Sequence, residues 1–215
     1  MFLCYAGAGR AQPTTVVGPD AGRGSDIVMG VWVKPDLDLA HYERVLLYPT
    51  VIQFREVRRQ ARSARAADNE ESFRVSDTMS KRLSDSFGEA FHETFSDIRE
   101  YEVTPDPGRN VLMVQGLLAD VISGVPPDRP GSNVNLLDWV WEADIVLEVR
   151  DSMSGEVLAR TVDRQRVDGP VQADMVLALA PRIMDDWSRL LYRRLDEVSD
   201  LGGHPDVPGR PTRQR

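Results

Sequence analysis

Residues 139–149 alternate. Trp139, Trp141, Ala143, Ile145, Leu147 and Val149 are apolar, and Val140, Glu142, Asp144, Val146, Glu148 and Arg150 stand between and after them. A period of two fits a strand, because successive strand side chains point to opposite faces. One packed face and one wetter face is the pattern of an antiparallel sheet. Asp151, Ser152, Met153, Ser154 and Gly155 then supply turn chemistry, and residues 156–167 return as a second strand, which predicts a hairpin. A sheet with one packed face needs another layer to cover it.

Two segments can form that layer. From Ser72 onward, Val75, Met79, Leu83, Phe87, Phe91 and Phe95 recur every four residues. On a helix of about 3.6 residues per turn such a stripe drifts by roughly 40° per step, which suits lying across a twisted sheet. Core packing is the common origin of such an aromatic stripe; a ligand pocket under Phe87 and Phe91 is the alternative. Near the C-terminus, Asp174 is placed to cap a second helix whose apolar face is Met175, Leu179, Ile183, Trp187, Leu191 and Leu195, with Pro181 kinking or restarting it.

The remaining strands are less sharply marked. Residues 42–54 form a β-branched and aromatic run interrupted by Pro49, which predicts an edge strand or a bend there. Residues 101–104 form a short strand before the Asp106, Pro107, Gly108 turn. The apolar run at 110–123 reads as a central strand, and residues 124–135 as a loop. The order βαββββα predicts an α+β two-layer sandwich, a mostly antiparallel sheet with both amphipathic helices on one face. The fold is expected over residues 36–200, with residues 1–35 a residual signal peptide and flexible lead-in and 201–215 a disordered tail.

Composition narrows the function classes. With 215 residues and 41% of them hydrophobic, the chain can bury one core. A net charge of −8 argues against a nucleic-acid partner, which calls for clustered Lys and Arg. No apolar run reaches the roughly 18 residues of a membrane-spanning helix. A single cysteine rules out an internal disulfide and a Cys-rich zinc site, and three scattered histidines point to no metal.

The opening residues, MFLCYAGAGRAQP, look like the end of a secretory signal peptide without its basic and apolar regions, and the coding start is expected further upstream. Cys4 is the candidate acyl cysteine of a lipoprotein, through which a lipid chain would anchor the protein to a membrane; its other reading is an ordinary residue of a cleaved signal.

Chemical motifs are sparse. There is no nucleophile elbow, phosphate-binding loop or His-Glu-x-x-His. Glu89 and His92 make a single Glu-x-x-His, half of a di-iron carboxylate pattern, or else a surface pair. Glu142 and Asp144 lie two apart on one strand face, as a pair of hydrolytic carboxylates could, or as solvated surface groups. Trp139 and Trp141 could stack on sugars, but pattern with the core. Five arginines between Arg55 and Arg65 suggest either a patch for an anionic partner or a solvated face. No catalytic, cofactor-binding or metal-ligating residue emerges.

Three segments carry a resemblance: KPDLDLAHYERVLLYPTVIQF at 34–54, ADIVLEVRDSMSGEVLARTVDRQ at 143–165, and MDDWSRLLYRRLDEV at 184–198. Together they resemble the bacterial family called domain of unknown function 3313, described for the most part as envelope lipoproteins. The resemblance implies an exported protein of the periplasm or outer membrane and brings no catalytic residues with it. The expected function is a non-enzymatic accessory or interaction module of the cell envelope, with an envelope protein as partner. The alternatives are a small-ligand carrier with a pocket between helix and sheet, and a hydrolase using Glu142 and Asp144.

Overall fold

The hairpin expected from the alternation dominates the computed structural model, which describes residues 30–56, 72–126 and 136–203. In chain order the elements are β1 (Gly30–Val33), β2 (Arg44–Phe54), α1 (Asp77–Ser96), β3 (Glu102–Val103), β4 (Val111–Ser123), β5 (Leu136–Asp151), β6 (Val157–Gln172) and α2 (Val176–Leu201). At the β5–β6 turn, Asp151 Oδ1 accepts from the backbone N of Met153 at 3.1 Å and of Ser154 at 2.7 Å. Gly155 closes the turn at φ +70°, a conformation that glycine takes without strain.

The strands form one six-stranded sheet in the order β1-β6-β5-β4-β2-β3. Each neighbouring pair in β1-β6-β5-β4 is antiparallel, whereas β2 runs parallel to both β4 and β3. The parallel pairing follows from the connection, since α1 carries the chain from the end of β2 back to the start of β3 and β4. The fold is therefore α+β with an open, mixed sheet. Beyond Val45, β2 has β4 on one side and no described strand on the other, and its register with β4 shifts between Tyr48 and Val51. Pro49 thus lies both on an edge and at an irregularity; its carbonyl is held by Gln115 Nε2 at 2.7 Å.

Both helices cover the same face. Leu83, Phe87, Phe91 and Phe95 of α1 and Met184, Leu191, Leu195 and Val198 of α2 are buried against Val114, Leu118, Trp141, Ile145 and Leu147 of the sheet. The four-residue stripe is core. Phe91 stacks on Phe95 with centroids 4.3 Å apart, and Phe95 meets Tyr192 edge-on at 5.7 Å. Gly116 lets the helices approach β4, because a Cβ there would lie 2.9 Å from the Phe91 ring and 3.0 Å from Leu191 Cδ1.

Four details differ from the sequence expectation. Gly30–Val33, assigned to the lead-in, is a strand paired with β6. Asp174 does not cap α2: it lies within a 3₁₀ turn, Ala173–Met175, and neither that turn nor α2 has a side-chain cap bond. Pro181 does not restart α2, which runs without interruption from Val176 to Leu201; lacking an N–H, it forgoes the one bond to the Leu177 carbonyl. Finally, Trp139 and Trp141 do not share a face. The β5–β6 register shifts on either side of Trp139, which pairs opposite Asp168, while Trp141 is wholly buried under the helices.

Candidate interaction face

The sheet face turned away from the helices is built by alternation from β6 inward. Arg160, Val162, Arg164 and Arg166 lie opposite Glu148, Val146, Asp144 and Glu142 of β5. Those residues in turn face Gln115, Leu117, Ala119 and Ile122 of β4. The β4–β5 register shifts between Ala119 and Ile122, and there Asp120 takes φ 56°, a left-handed conformation that aspartate tolerates better than most residues. This bulge puts the Asp120 carboxylate within reach of two arginines.

The result is a ladder of ion pairs. Arg164 grips Asp144 through Nε at 2.8 Å and Nη2 at 3.2 Å, lies 3.5 Å from Asp120 Oδ2, and reaches Glu142 Oε1 at 3.9 Å. Arg55, just beyond β2, forks over Asp120, with Nε 2.6 Å from Oδ1 and Nη2 on Oδ2. Glu148, only 8% exposed, is held by Arg150 Nε at 2.7 Å with Arg160 Nε 4.0 Å away. The forked hydrogen bonds from Arg55 hold the Asp120 carboxyl below the usual aspartate range, and the same contact raises the Arg55 guanidinium. Between the charges lie Val146 and Ile122, both buried. At one end of the face the Arg166 guanidinium sits 4.8 Å over the Trp139 ring.

The expected wet face of β5 is therefore half-dry, with Glu142 and Asp144 at side-chain exposures of 20% and 25%. Both carboxylates face Arg164, a group that stays charged at any ordinary pH and shuttles no proton. The pair binds arginine, Asp144 by two hydrogen bonds and Glu142 at 3.9 Å. Glu89 and His92 are exposed on α1, where His92 Nδ1 lies 3.1 Å from Ser96 Oγ, and no metal-holding cluster exists among the described residues. Phe87 and Phe91 are buried in the core, with ring centroids 6.2 Å apart. A groove of about 380 Å³ opens elsewhere, between β6 and α2, lined by Gln165, Arg166, Val167, Ile183, Trp187 and Leu190, among others. Of the arginine run, Arg55 joins the ladder; Arg58, Arg59, Arg62 and Arg65 lie outside the described residues, as does Cys4.

Two charged residues that sequence reading passed over are central. Asp120 is the one charge in the apolar run of β4, and a lone charge in a buried strand calls for a partner. Asp163 occupies a core-facing position of β6 and is 2% exposed; Arg194 of α2 binds it through Nε at 2.8 Å and Nη2 at 2.5 Å, and holds Glu197 through Nη1 at 2.6 Å. Its parity with Ala159 and Thr161 was the available signal.

A family model described as "Protein of unknown function (DUF3313)" matches residues 13–191. No curated protein matches the chain. Among solved structures, it is similar to a Xanthomonas campestris protein of the DUF330 family, at 12% identity and TM-score 0.40 over 80% of this chain and 93% of that one. A homologue of neuraminyllactose-binding hemagglutinin from Helicobacter pylori shares 9% identity at TM-score 0.38, over 79% of this chain and 94% of that one. The PelC dodecamer from Paraburkholderia phytofirmans shares 10% identity at TM-score 0.31, over 73% and 96%.

Proposed function

We propose, for a chain that belongs to the DUF3313 family of proteins of unknown function, a non-enzymatic role as an interaction module of the bacterial cell envelope. The observation that supports this reading is the sheet face turned away from α1 and α2, on which each of Asp120, Asp144 and Glu148 is answered by an arginine. A catalytic cleft gathers a few reactive groups around a space for substrate. Here the groups satisfy one another across a surface that alternates charge with apolar side chains. Such a surface suits a protein partner whose own charges can exchange into the ladder.

Beside the ladder, β2 past Val45 is an edge among the described residues, and it exposes Tyr48 by 48% and Val51 by 37%. An edge strand next to the face turned away from α1 and α2 offers backbone pairing and side-chain contact together. The envelope location is inferred from the small residues of the opening segment and from Cys4 as the anchoring residue.

A photo-crosslinking amino acid at Tyr48, with another at the exposed Arg82 of α1 as control, tests the reading in the native bacterium. Adducts from Tyr48 but not from Arg82, recovered with the membrane or periplasmic fraction, are expected. Recovery in the cytosol alone, or equal adducts from both positions, would overturn it. A labelled fatty acid should enter the wild-type protein and not Cys4→Ser if the anchor is that residue.

A further inference from the structure

Beside the buried stripe of α2, which runs through Met184, Leu191, Leu195 and Val198, lies a second one. Ile183, Asp186, Trp187, Leu190 and Arg193 follow at steps of three and one, and so share one side of the helix. Across from them on β6, Gln165 lies opposite the core residue Ala143, and Val167 packs against the core. β1 pairs with β6 only from Ala159 to Val162, so past Asp163 no described strand adjoins its outer edge. Here the flank of α2 and Gln165, Arg166 and Val167 of β6 line the groove of about 380 Å³. Small-ligand pockets fall in the range of roughly 300–1,000 Å³.

The lining has two characters. Val167, Ile183, Trp187 and Leu190 form an apolar surface, and the remaining four residues are polar or charged. Two of those charges are answered by residues outside the lining. Arg166 Nε lies 3.2 Å from Asp168 Oδ1, with the guanidinium over the Trp139 ring, and Asp186 Oδ1 lies 3.7 Å from Arg189 Nη1. Arg193 is exposed and makes no ion pair among the described residues, and the Gln165 amide makes no side-chain hydrogen bond among them. The groove is left with one unanswered positive charge and one amide donor beside an apolar wall.

That combination selects a chemistry. A guanidinium presents a planar fork of N–H donors that matches a carboxylate or phosphate, and a glutamine amide adds a further donor. The carboxylate of Asp186 opposes a second negative charge nearby, which favours a ligand with only one. An apolar body laid along Trp187 and its neighbours gains by leaving water.

We propose that the β6–α2 groove binds a small amphiphile with a single anionic head, a carboxylate or a phosphodiester. The head lies against Arg193 and Gln165, and the apolar body lies along Val167, Ile183, Trp187 and Leu190. This site is on the helix side of the sheet, apart from the ion-pair ladder, and does not depend on a protein partner there.

Calorimetric titration of the full chain with octanoate and with octyl methyl phosphate tests the site. At least one of them should bind saturably, one molecule per chain, and the tighter of the two identifies the head group. Octanol, which lacks the charge, and butanoate, which lacks four methylenes, should each bind at least about tenfold more weakly than octanoate or its phosphate counterpart. Arg193→Gln should weaken the better probe at least about tenfold, whereas Arg182→Gln, exposed on α2 outside the lining, should stay within about twofold of wild type. Both substituted residues are exposed, so both variants should melt with the wild type. Failure of both probes to bind more tightly than about 1 mM would overturn the proposal. So would octanol binding as well as the charged probes, wild-type affinity in Arg193→Gln, or uptake of many molecules per chain.

Discussion

Arg194 reaches from α2 to the core-facing side of β6 and forks over Asp163, with Nε 2.8 Å from Oδ2 and Nη2 2.5 Å from Oδ1. This charged contact ties the helix layer to the sheet interior, and both residues are buried, at 8% and 2% exposure. Taking one partner away leaves the other charged in a low-dielectric site. Asp163→Ala and Arg194→Ala should each cost about 3–5 kcal/mol of stability in urea denaturation, and Asp163→Leu combined with Arg194→Met should recover much of the loss. Additive losses in the double variant would show that the two residues act separately.

Gly116 is the point of closest approach between β4 and the helices. A methyl group there meets Phe91 at 2.9 Å and Leu191 at 3.0 Å, and Phe91 is itself stacked on Phe95, so neither neighbour can give way freely. Gly116→Ala should destabilise the protein by about 1–3 kcal/mol through overpacking. A neutral or stabilising result in a thermal melt would show that the helix layer slides on the sheet.

Asp120 ties stability to pH. Its carboxyl is depressed by Arg55, so its contribution is fully present above the unfolded value near 3.8 and fades as pH falls toward the lower folded value. Asp120→Asn keeps a residue that tolerates the left-handed backbone, and so removes the charge without straining the bulge. Both partners are partly exposed, so the variant should lose no more than about 1 kcal/mol at pH 7. The gap between variant and wild type should close below about pH 4. A gap that stays constant with pH would exclude the ion pair as its source.

The hairpin and the α1 stripe were legible because their signals are local: strict alternation over residues 139–149, and apolar residues every four positions through Phe95. What escaped is set by distant partners. Gly30–Val33 is too short to announce itself and is a strand because β6 offers it an edge. Trp139 departs from Trp141 through register shifts, which leave the alternating letters unchanged. Asp120 could be seen as an odd charge in an apolar run, but its partners are distant in the chain, Arg55 just beyond β2 and Arg164 in β6. Asp174 has the residue type of a cap, yet the chain makes a 3₁₀ turn there before α2 begins.

The two faces of β5 make opposite demands on charge. Ile145 is wholly buried between β4 and β6, under the helices, and the buried Asp163 beside it is already committed to Arg194. An aspartate at 145 would add a second carboxylate to a site whose one cation is taken. The cost is several kcal/mol, against a typical domain stability of about 5–15 kcal/mol. Ile145→Asp should therefore abolish soluble expression. Glu142 sits on the other face at 20% side-chain exposure, 3.9 Å from an Arg164 that keeps its closer hold on Asp144. Glu142→Ala should change stability by less than about 0.5 kcal/mol, leaving the melting temperature unmoved. Equal effects from the two substitutions would mean that the face read here as open is buried as well. Loss of crosslinking at Tyr48 in a normally folded Glu142→Ala would instead tie that carboxylate to partner binding.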